Sequence, residues 1–277
     1  MNQMKKIRRE SRFSSREKFM QDKVFITDQS GDKLAAWILL GKSEPVYIMA
    51  ICHGFRGAKE NSGKLIPFAR RLNSLGIGVV AFDCRGSGES DGDFARVTLS
   101  RQVADLKLVL AYVRERFRLP VLLLGRSFGG STVAAVAPYD AIVAGCIFWS
   151  APVDLAGTFK HMLGDDAYYR LLKGETINII DQNGEFPLQP DIVRDFERHD
   201  LLSCLKTLDM PVLAIHGGQD EVVNPDNART IAGTVKHGTL ELVAEADHRF
   251  TEFTRERENL TLAWIKAQIL DYSGGST

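Results

Sequence analysis

The 277-residue chain has no stretch approaching the roughly 20 consecutive apolar residues that span a bilayer, so a membrane helix is not expected. It also lacks net charge: lysine plus arginine and aspartate plus glutamate number 35 each, so no overall field recruits nucleic acid or an anionic membrane. Cysteine is scarce. Cys52, Cys84, Cys146 and Cys204 have neither CxxC spacing nor histidines placed as metal ligands, and the first three fall in or at the ends of expected buried strands. They read as reduced core residues, with no zinc site or disulfide framework. Residues 1–23 are rich in Lys, Arg and Ser, lack the apolar core of a secretory signal, and read as a polar tail. No internal repeat, low-complexity linker, metal site or organic cofactor is implied. A reducing cytoplasm fits these absences.

What is present suits one large α/β domain. Hydrophobic residues make up 44% and charged residues 25%, ordinary values for a globular protein. Val24–Thr27 and Lys33–Leu40, joined by the turn Asp28–Asp32, read as an antiparallel hairpin. Apolar strands then follow at Val46–Cys52, Ile77–Asp83, Val121–Gly125, Ala144–Trp149, Val212–His216 and Thr239–Val243, alternating with helical segments. Such alternation builds a mainly parallel, doubly wound sheet, here of about eight strands. One helix is expected over Gly63–Leu75, with Ser62 as its cap and Gly76 as its stop. Another over Thr98–Phe117 repeats Leu99, Val103, Leu106, Leu110, Val113 and Phe117 on one stripe. Between Pro152 and Met210 the alternation fails. Helical pieces around Phe159–Leu172, a hairpin over Ile177–Phe186 with a Gln182-Asn183-Gly184 turn, and a helix near Ile192–Leu205 read as an inserted cap. Residues 24–151 and 211–277 then form the core, and 152–210 the cap.

The chemistry starts at Val121–Ser131, an apolar strand ending in Gly125-Arg126-Ser127-Phe128-Gly129 and followed by a small-residue helix. A serine on so sharp a strand-to-helix turn takes a strained backbone and tolerates only glycine two residues away on either side. The hydroxyl then points outward, and the helix aims its free N–H groups and positive dipole end at charge developing beside it. Serine still needs a base, and the base an acid to hold its tautomer. Strand ends supply both: Val212–His216 leads through Gly217-Gly218 to Asp220, and Leu240–Val243 leads to His248. Glu221 and Asp154 are the fallback acids. His161, His199 and His237 fall in the cap or surface turns, and His216 reads as structural.

With these residues in place, the chain from about Val24 to its C-terminal helix resembles the α/β-hydrolases. The resemblance implies that Ser127 is the nucleophile, His248 the general base and Asp220 the orienting acid. It implies that Cys52-His53-Gly54-Phe55-Arg56-Gly57 is the oxyanion loop, with the backbone N–H groups of Phe55 and Phe128 as donors, and that Asp83 and Arg85 brace neighbouring loops. The His53-Gly54-Phe55 loop, Ser90–Phe94 and the stretch from Arg194 to Asp220 resemble the cinnamoyl or feruloyl esterase-like branch more than the HGGG lipases.

A serine nucleophile disfavours the dehalogenase and epoxide-hydrolase relatives, which attack with aspartate. The expected reaction is therefore acyl transfer to water, with small aryl or short-acyl esters as substrates. Thioester or peptide cleavage stays open, because a triad leaves the leaving group unspecified. A non-catalytic receptor on the same fold is the alternative from another class. Arg56, Arg126 and Arg249 lie in the same loops and are candidates for binding a carboxylate or phosphate on the substrate. The competing reading pairs them with acids such as Asp83 or Glu60.

Overall fold

In the first hairpin Met20–Thr27 (β2) and Lys33–Leu40 (β3) pair antiparallel, from Met20 opposite Leu40 to Thr27 opposite Lys33. This computed structural model describes residues 10–11, 19–181 and 184–271. The first long strand thus starts four residues before Val24, because polar Met20–Lys23 still finds backbone partners along β3. Most of the expected polar tail lies outside the described residues, apart from the short strand Glu10–Ser11 (β1), which pairs with β2.

The remaining core elements follow the expected alternation. They are Tyr47–Cys52 (β4), Leu65–Asn73 (α1), Ile77–Phe82 (β5), Leu99–Phe117 (α2), Val121–Arg126 (β6), Phe128–Val136 (α3) and Val143–Trp149 (β7). The stretch expected to form a cap, referred to below as the cap region, holds Leu155–Leu163 (α4), Asp165–Leu172 (α5), Ile177–Asp181 (β8), Gly184–Leu188 (β9), Asp191–Phe196 (α6) and Leu201–Lys206 (α7). Val212–Gly217 (β10), Asp226–Thr234 (α8), Gly238–Val243 (β11) and Thr254–Ile265 (α9) complete the core. Strand order is β1-β2-β3-β5-β4-β6-β7-β10-β11, one sheet that is parallel from β5 to β11. β8 and β9 form a separate antiparallel pair; Gln182 and Asn183 of the expected turn lie outside the described residues.

Apolar side chains bury both faces of this sheet. On one face Leu106, Leu110 and Val113 of α2, Val133 of α3 and Ile231 of α8 join the core, together with Leu155, Phe159, Ile192 and Phe196 from the cap region. On the other face Phe68 and Leu72 of α1 pack with Leu262 and Ile265 of α9. Thr98 caps α2 by accepting the Arg101 N–H at 3.1 Å. Ser62 does not cap α1: it takes φ 53° in the preceding turn, and Lys64 occupies the cap position without a side-chain bond. The helix expected near Ile192–Leu205 is two, separated before Asp200, whose carboxylate accepts the Ser203 N–H at 2.9 Å and starts α7. No helix among the described residues is long and apolar enough to cross a membrane.

The register carries the site. β4 pairs with β6 so that Cys52 lies opposite Gly125, and β7 pairs with β10 so that Trp149 lies opposite Ile215. The loops leaving these strands therefore meet at one edge of the parallel sheet, above their carboxyl ends.

Candidate active site

Ser127 leaves β6 with φ 51° and ψ −128°, the strained conformation expected of this turn. Its N–H donates to the Trp149 carbonyl at 2.8 Å, and its own carbonyl accepts the Gly130 N–H at 2.7 Å, so backbone bonds hold the strain on both sides. Two glycines set what approaches it. A Cβ on Gly129 would lie 2.3 Å from the Cys52 carbonyl oxygen, so only glycine lets α3 pack against the end of β4. A Cβ on Gly54 would lie 2.9 Å from the Ser127 Cβ, which places the loop after β4 directly beside the serine. The Phe128 N–H, first of α3, has no partner within the helix. The turn bond of the facing loop runs from the Gly57 N–H to the Gly54 carbonyl at 3.0 Å and does not involve Phe55.

His53 is buried and ties this loop to the next one. Its Nε2 accepts the Cys84 N–H at 3.0 Å while Nδ1 donates to the Gly54 carbonyl at 2.8 Å, and burial lowers its affinity for a second proton. Asp83, also buried, accepts the Lys59 N–H and Nζ, each at 2.7 Å, and the Glu89 N–H at 3.0 Å. Lys59 Nζ further reaches Glu60 at 2.7 Å and Glu89 at 2.8 Å. Three converging carboxylates thus share one ammonium. Arg85 pairs with Asp28 and Asp105, so the loop after β5 braces its neighbours as expected.

His248, after β11, places Nε2 3.1 Å from Ser127 Oγ and Nδ1 2.8 Å from Asp220 Oδ2. Asp220 Oδ1 accepts the N–H groups of Val222 at 2.9 Å and Val223 at 2.8 Å. Burial would raise the Asp220 pKa, but the bonds from His216 and His248 outweigh it and hold the carboxyl well below the usual range. Neither fallback acid reaches His248. Asp154 caps α4 through the Gly157 N–H at 2.9 Å, and the Glu221 carbonyl lies 2.9 Å from His161 Nε2.

Two contributors escaped the sequence reading. His216 Nε2 lies 2.9 Å from the same Oδ2 that His248 uses. Ser150 Oγ donates to the His248 carbonyl at 3.2 Å and anchors that loop from below. The first had a signal, a histidine four residues before the aspartate on a strand ending at the site. The second had none.

Asp83 and Glu60, the acids expected to pair with the arginines, both bond to Lys59. Arg126 Nη1 donates to Asn61 Oδ1 at 2.7 Å; burial and then the positive charge of Arg249 disfavour its protonated form. Arg56 stacks over the Phe186 ring at 4.1 Å, and Arg249 is exposed. Arg257 on α9 was not anticipated. It is 1% exposed and packs 4.0 Å from the Trp149 ring centroid, and burial followed by repulsion from Arg126 brings its pKa down to about 9.

Aromatic rings link the cap region to the serine. Phe159 of α4 packs edge-on against Phe55 at 5.2 Å and Phe128 at 5.4 Å, and Phe196 of α6 lies 4.9 Å from Phe159. Phe94 joins Phe55 at 5.2 Å and Phe186 of β9 at 5.9 Å. The two residues expected to donate to the oxyanion are thereby held through their own side chains.

The fold is that of the α/β-hydrolases, and over part of its length the chain is similar to hydrolases. A family model described as serine aminopeptidase, S33, matches residues 43–166. The mouse mitochondrial palmitoyl-protein thioesterase ABHD10 is 27% identical over 199 residues, covering 69% of this chain and 66% of that protein. An uncharacterized 31.7 kDa protein of Escherichia coli is 26% identical over 236 residues, covering 72% of this chain and 82% of the other. Among solved structures, Est1E from Butyrivibrio proteoclasticus with ferulic acid bound superposes with a TM-score of 0.75. It is 21% identical, covers 89% of this chain and 99% of that one, and shares the fold.

Proposed function

We propose that the chain cleaves carboxylic esters through an acyl-enzyme formed on Ser127. His248 Nε2 takes the Ser127 proton as Oγ attacks the substrate carbonyl, and Asp220 stabilises the imidazolium that forms. The new oxyanion is held by the N–H groups of Phe55 and Phe128, each such donor contributing about 10²- to 10³-fold in rate. His248 then protonates the departing alkoxide, leaving an acyl group on Oγ. Water, losing a proton to the same Nε2, attacks the acyl carbonyl and releases the acid and the free serine. The observation that carries this reading is the unbroken chain of contacts from Ser127 Oγ to His248 at 3.1 Å and on to Asp220 at 2.8 Å.

The rings of Phe55, Phe128, Phe159 and Phe196 crowd the approach from the cap region, which favours small aryl or short-acyl groups. The positive surroundings of Arg126 favour a carboxylate-bearing substrate, with Arg56 and Arg249 as further binding groups. Thioester cleavage is the second reading, favoured by the similarity to the mouse thioesterase; the acyl-transfer steps are the same with a thiolate leaving. A fluorophosphonate probe should label the wild-type protein and not Ser127→Ala, and the same substitution should abolish hydrolysis of a chromogenic acetate ester. Labelling that survives the substitution refutes the assignment. A panel of oxygen esters and thioesters with matched acyl groups then separates the two leaving-group classes by kcat/KM.

A further inference from the structure

Asp220 Oδ2 faces two imidazoles. His248 Nδ1 stands 2.8 Å away and His216 Nε2 stands 2.9 Å away, and neither His216 nor the Asp220 side chain is open to solvent. The same His216 Nε2 lies 3.0 Å from the Val223 carbonyl oxygen. Both neighbours of Nε2 are acceptors, so Nε2 carries the proton and shares it between them. His216 Nδ1 is buried without a hydrogen-bond partner, which agrees with a bare lone pair there, since an unpartnered buried N–H is the costlier arrangement.

We infer that His216 is a positioning residue for the proposed reaction: through its Nε2–H it fixes the rotamer of Asp220 and draws off part of the carboxylate charge that His248 meets. The Val222 and Val223 N–H groups hold only Oδ1. Without His216, Oδ2 has a single partner, the one that must move protons during turnover. The strand supplies the geometry: His216 is near the end of β10, four residues before Asp220, and the Gly217-Gly218 turn folds the chain back so that the carboxylate meets its own strand. This inference rests on the proposed catalytic reading, and it adds a residue whose effect is electrostatic as well as steric.

The sign follows from charge sharing. A carboxylate relieved of one donor is more basic and binds an imidazolium more tightly. Replacing His216 by Phe should therefore move the acid limb of the kcat/KM profile to higher pH, because His248 gives up its proton less readily. The other ionisable groups beside the pair are Glu221, next to Asp220, and Asp247 and Arg249, on either side of His248, with Arg126 and Arg257 interacting in turn with Asp247; all are the same in every variant.

Three measurements test the inference. In wild-type protein, long-range ¹H–¹⁵N spectra of the histidine rings should show His216 as the Nε2–H tautomer; an Nδ1–H tautomer overturns it, whether or not any variant folds. His216→Phe should lower kcat/KM about 10- to 100-fold, the size of loss found when the hydrogen-bonded partner orienting a metal-bound histidine is removed, and shift the acid limb upward. His216→Gln, whose Nε2 reaches the same place, should recover most of the rate and the original profile. Equal losses in both variants with an unmoved profile mark His216 as structural and overturn the inference. If Ser127→Ala retains activity, the catalytic reading itself fails. If Ser127→Ala is inactive while both His216 variants keep wild-type rate and profile, only the present inference fails.

Discussion

Asp220→Asn discriminates best among simple substitutions, because its surroundings decide which way the new amide must face. The Val222 and Val223 N–H groups, 2.9 and 2.8 Å from Oδ1, are fixed donors, so the amide oxygen stays there and the NH₂ takes the place of Oδ2. The reversed amide would set NH₂ against two backbone donors that cannot change sides, whereas an imidazole can move its proton to the other nitrogen. The NH₂ then meets His248 Nδ1 where the carboxylate accepted at 2.8 Å, and His248 adopts the Nε2–H tautomer. That tautomer points a proton, not a lone pair, at Ser127 Oγ 3.1 Å away. We expect kcat for a chromogenic acetate ester to fall about 10⁴-fold, roughly 5.5 kcal/mol of barrier, with the fold intact. Histidine ¹H–¹⁵N spectra should report the tautomer change directly. A loss below about tenfold, or His248 still protonated on Nδ1, refutes the reasoning. Stability adds a check of sign. The Asp220 carboxyl is held below its ordinary value, so its contribution is present above the unfolded pKa of about 3.9 and is lost as pH falls through the folded value. The stability gap between the wild-type protein and the Asp220→Asn variant should persist at neutral pH and close only in strong acid.

Lys59→Met leaves Asp83 buried without its counterion and should cost about 3 to 5 kcal/mol by urea unfolding at neutral pH, or a Tm lower by roughly 10 °C. Burial opposes the charge on Lys59, but its bonds to Asp83, Glu60 and Glu89 outweigh that and raise its pKa, so this stabilisation is complete below about pH 10.4 and lost as pH rises through the folded value; a gap that widens in alkali counts against the network. Phe159→Ala should destabilise the fold by about 3 to 5 kcal/mol and shift the acyl preference toward longer chains in an ester panel, since its ring packs on both Phe55 and Phe128; an unchanged panel counts against crowding by the cap. Arg126→Ala should lower kcat/KM for a carboxylated ester about tenfold more than for its neutral analogue; an equal change in both removes the anion preference.

The order of strands was legible because a parallel sheet buried on both faces writes its strands as short apolar runs, and six such runs stand at β4, β5, β6, β7, β10 and β11. Ser127, Asp220 and His248 were legible for a related reason: each follows one of those runs, where a side chain at a strand end must face the crevice. β2 extends into polar Met20–Lys23 because pairing with β3 stabilises backbone that hydrophobicity does not mark. The burial of Arg257 was hidden in the charged run Thr254–Asn259, which reads as solvated; the helix turns one guanidinium inward between Trp149 and Phe250. His216 read as structural because periodicity gives the face of a residue and not the atom it touches.

The proposed first step separates charge, creating an imidazolium and an oxyanion on opposite sides of one serine, and the site has a different support for each. On the imidazolium side the support is covalently close: His216, Asp220 and His248 all issue from β10 and β11, adjacent parallel strands whose pairing runs through to Gly217 opposite Val243. On the oxyanion side the support is assembled from distant parts. The Phe55 loop leaves β4, the Phe128 N–H belongs to α3, and the rings of both are wedged by Phe159 from the cap region. Mutations in the cap should therefore act on catalysis chiefly through the oxyanion donors, lowering kcat without moving the pH profile. Mutations around β10 should move the profile as well. Measured together, the two effects divide the site into a rigid proton-handling half and an oxyanion half whose geometry depends on the cap.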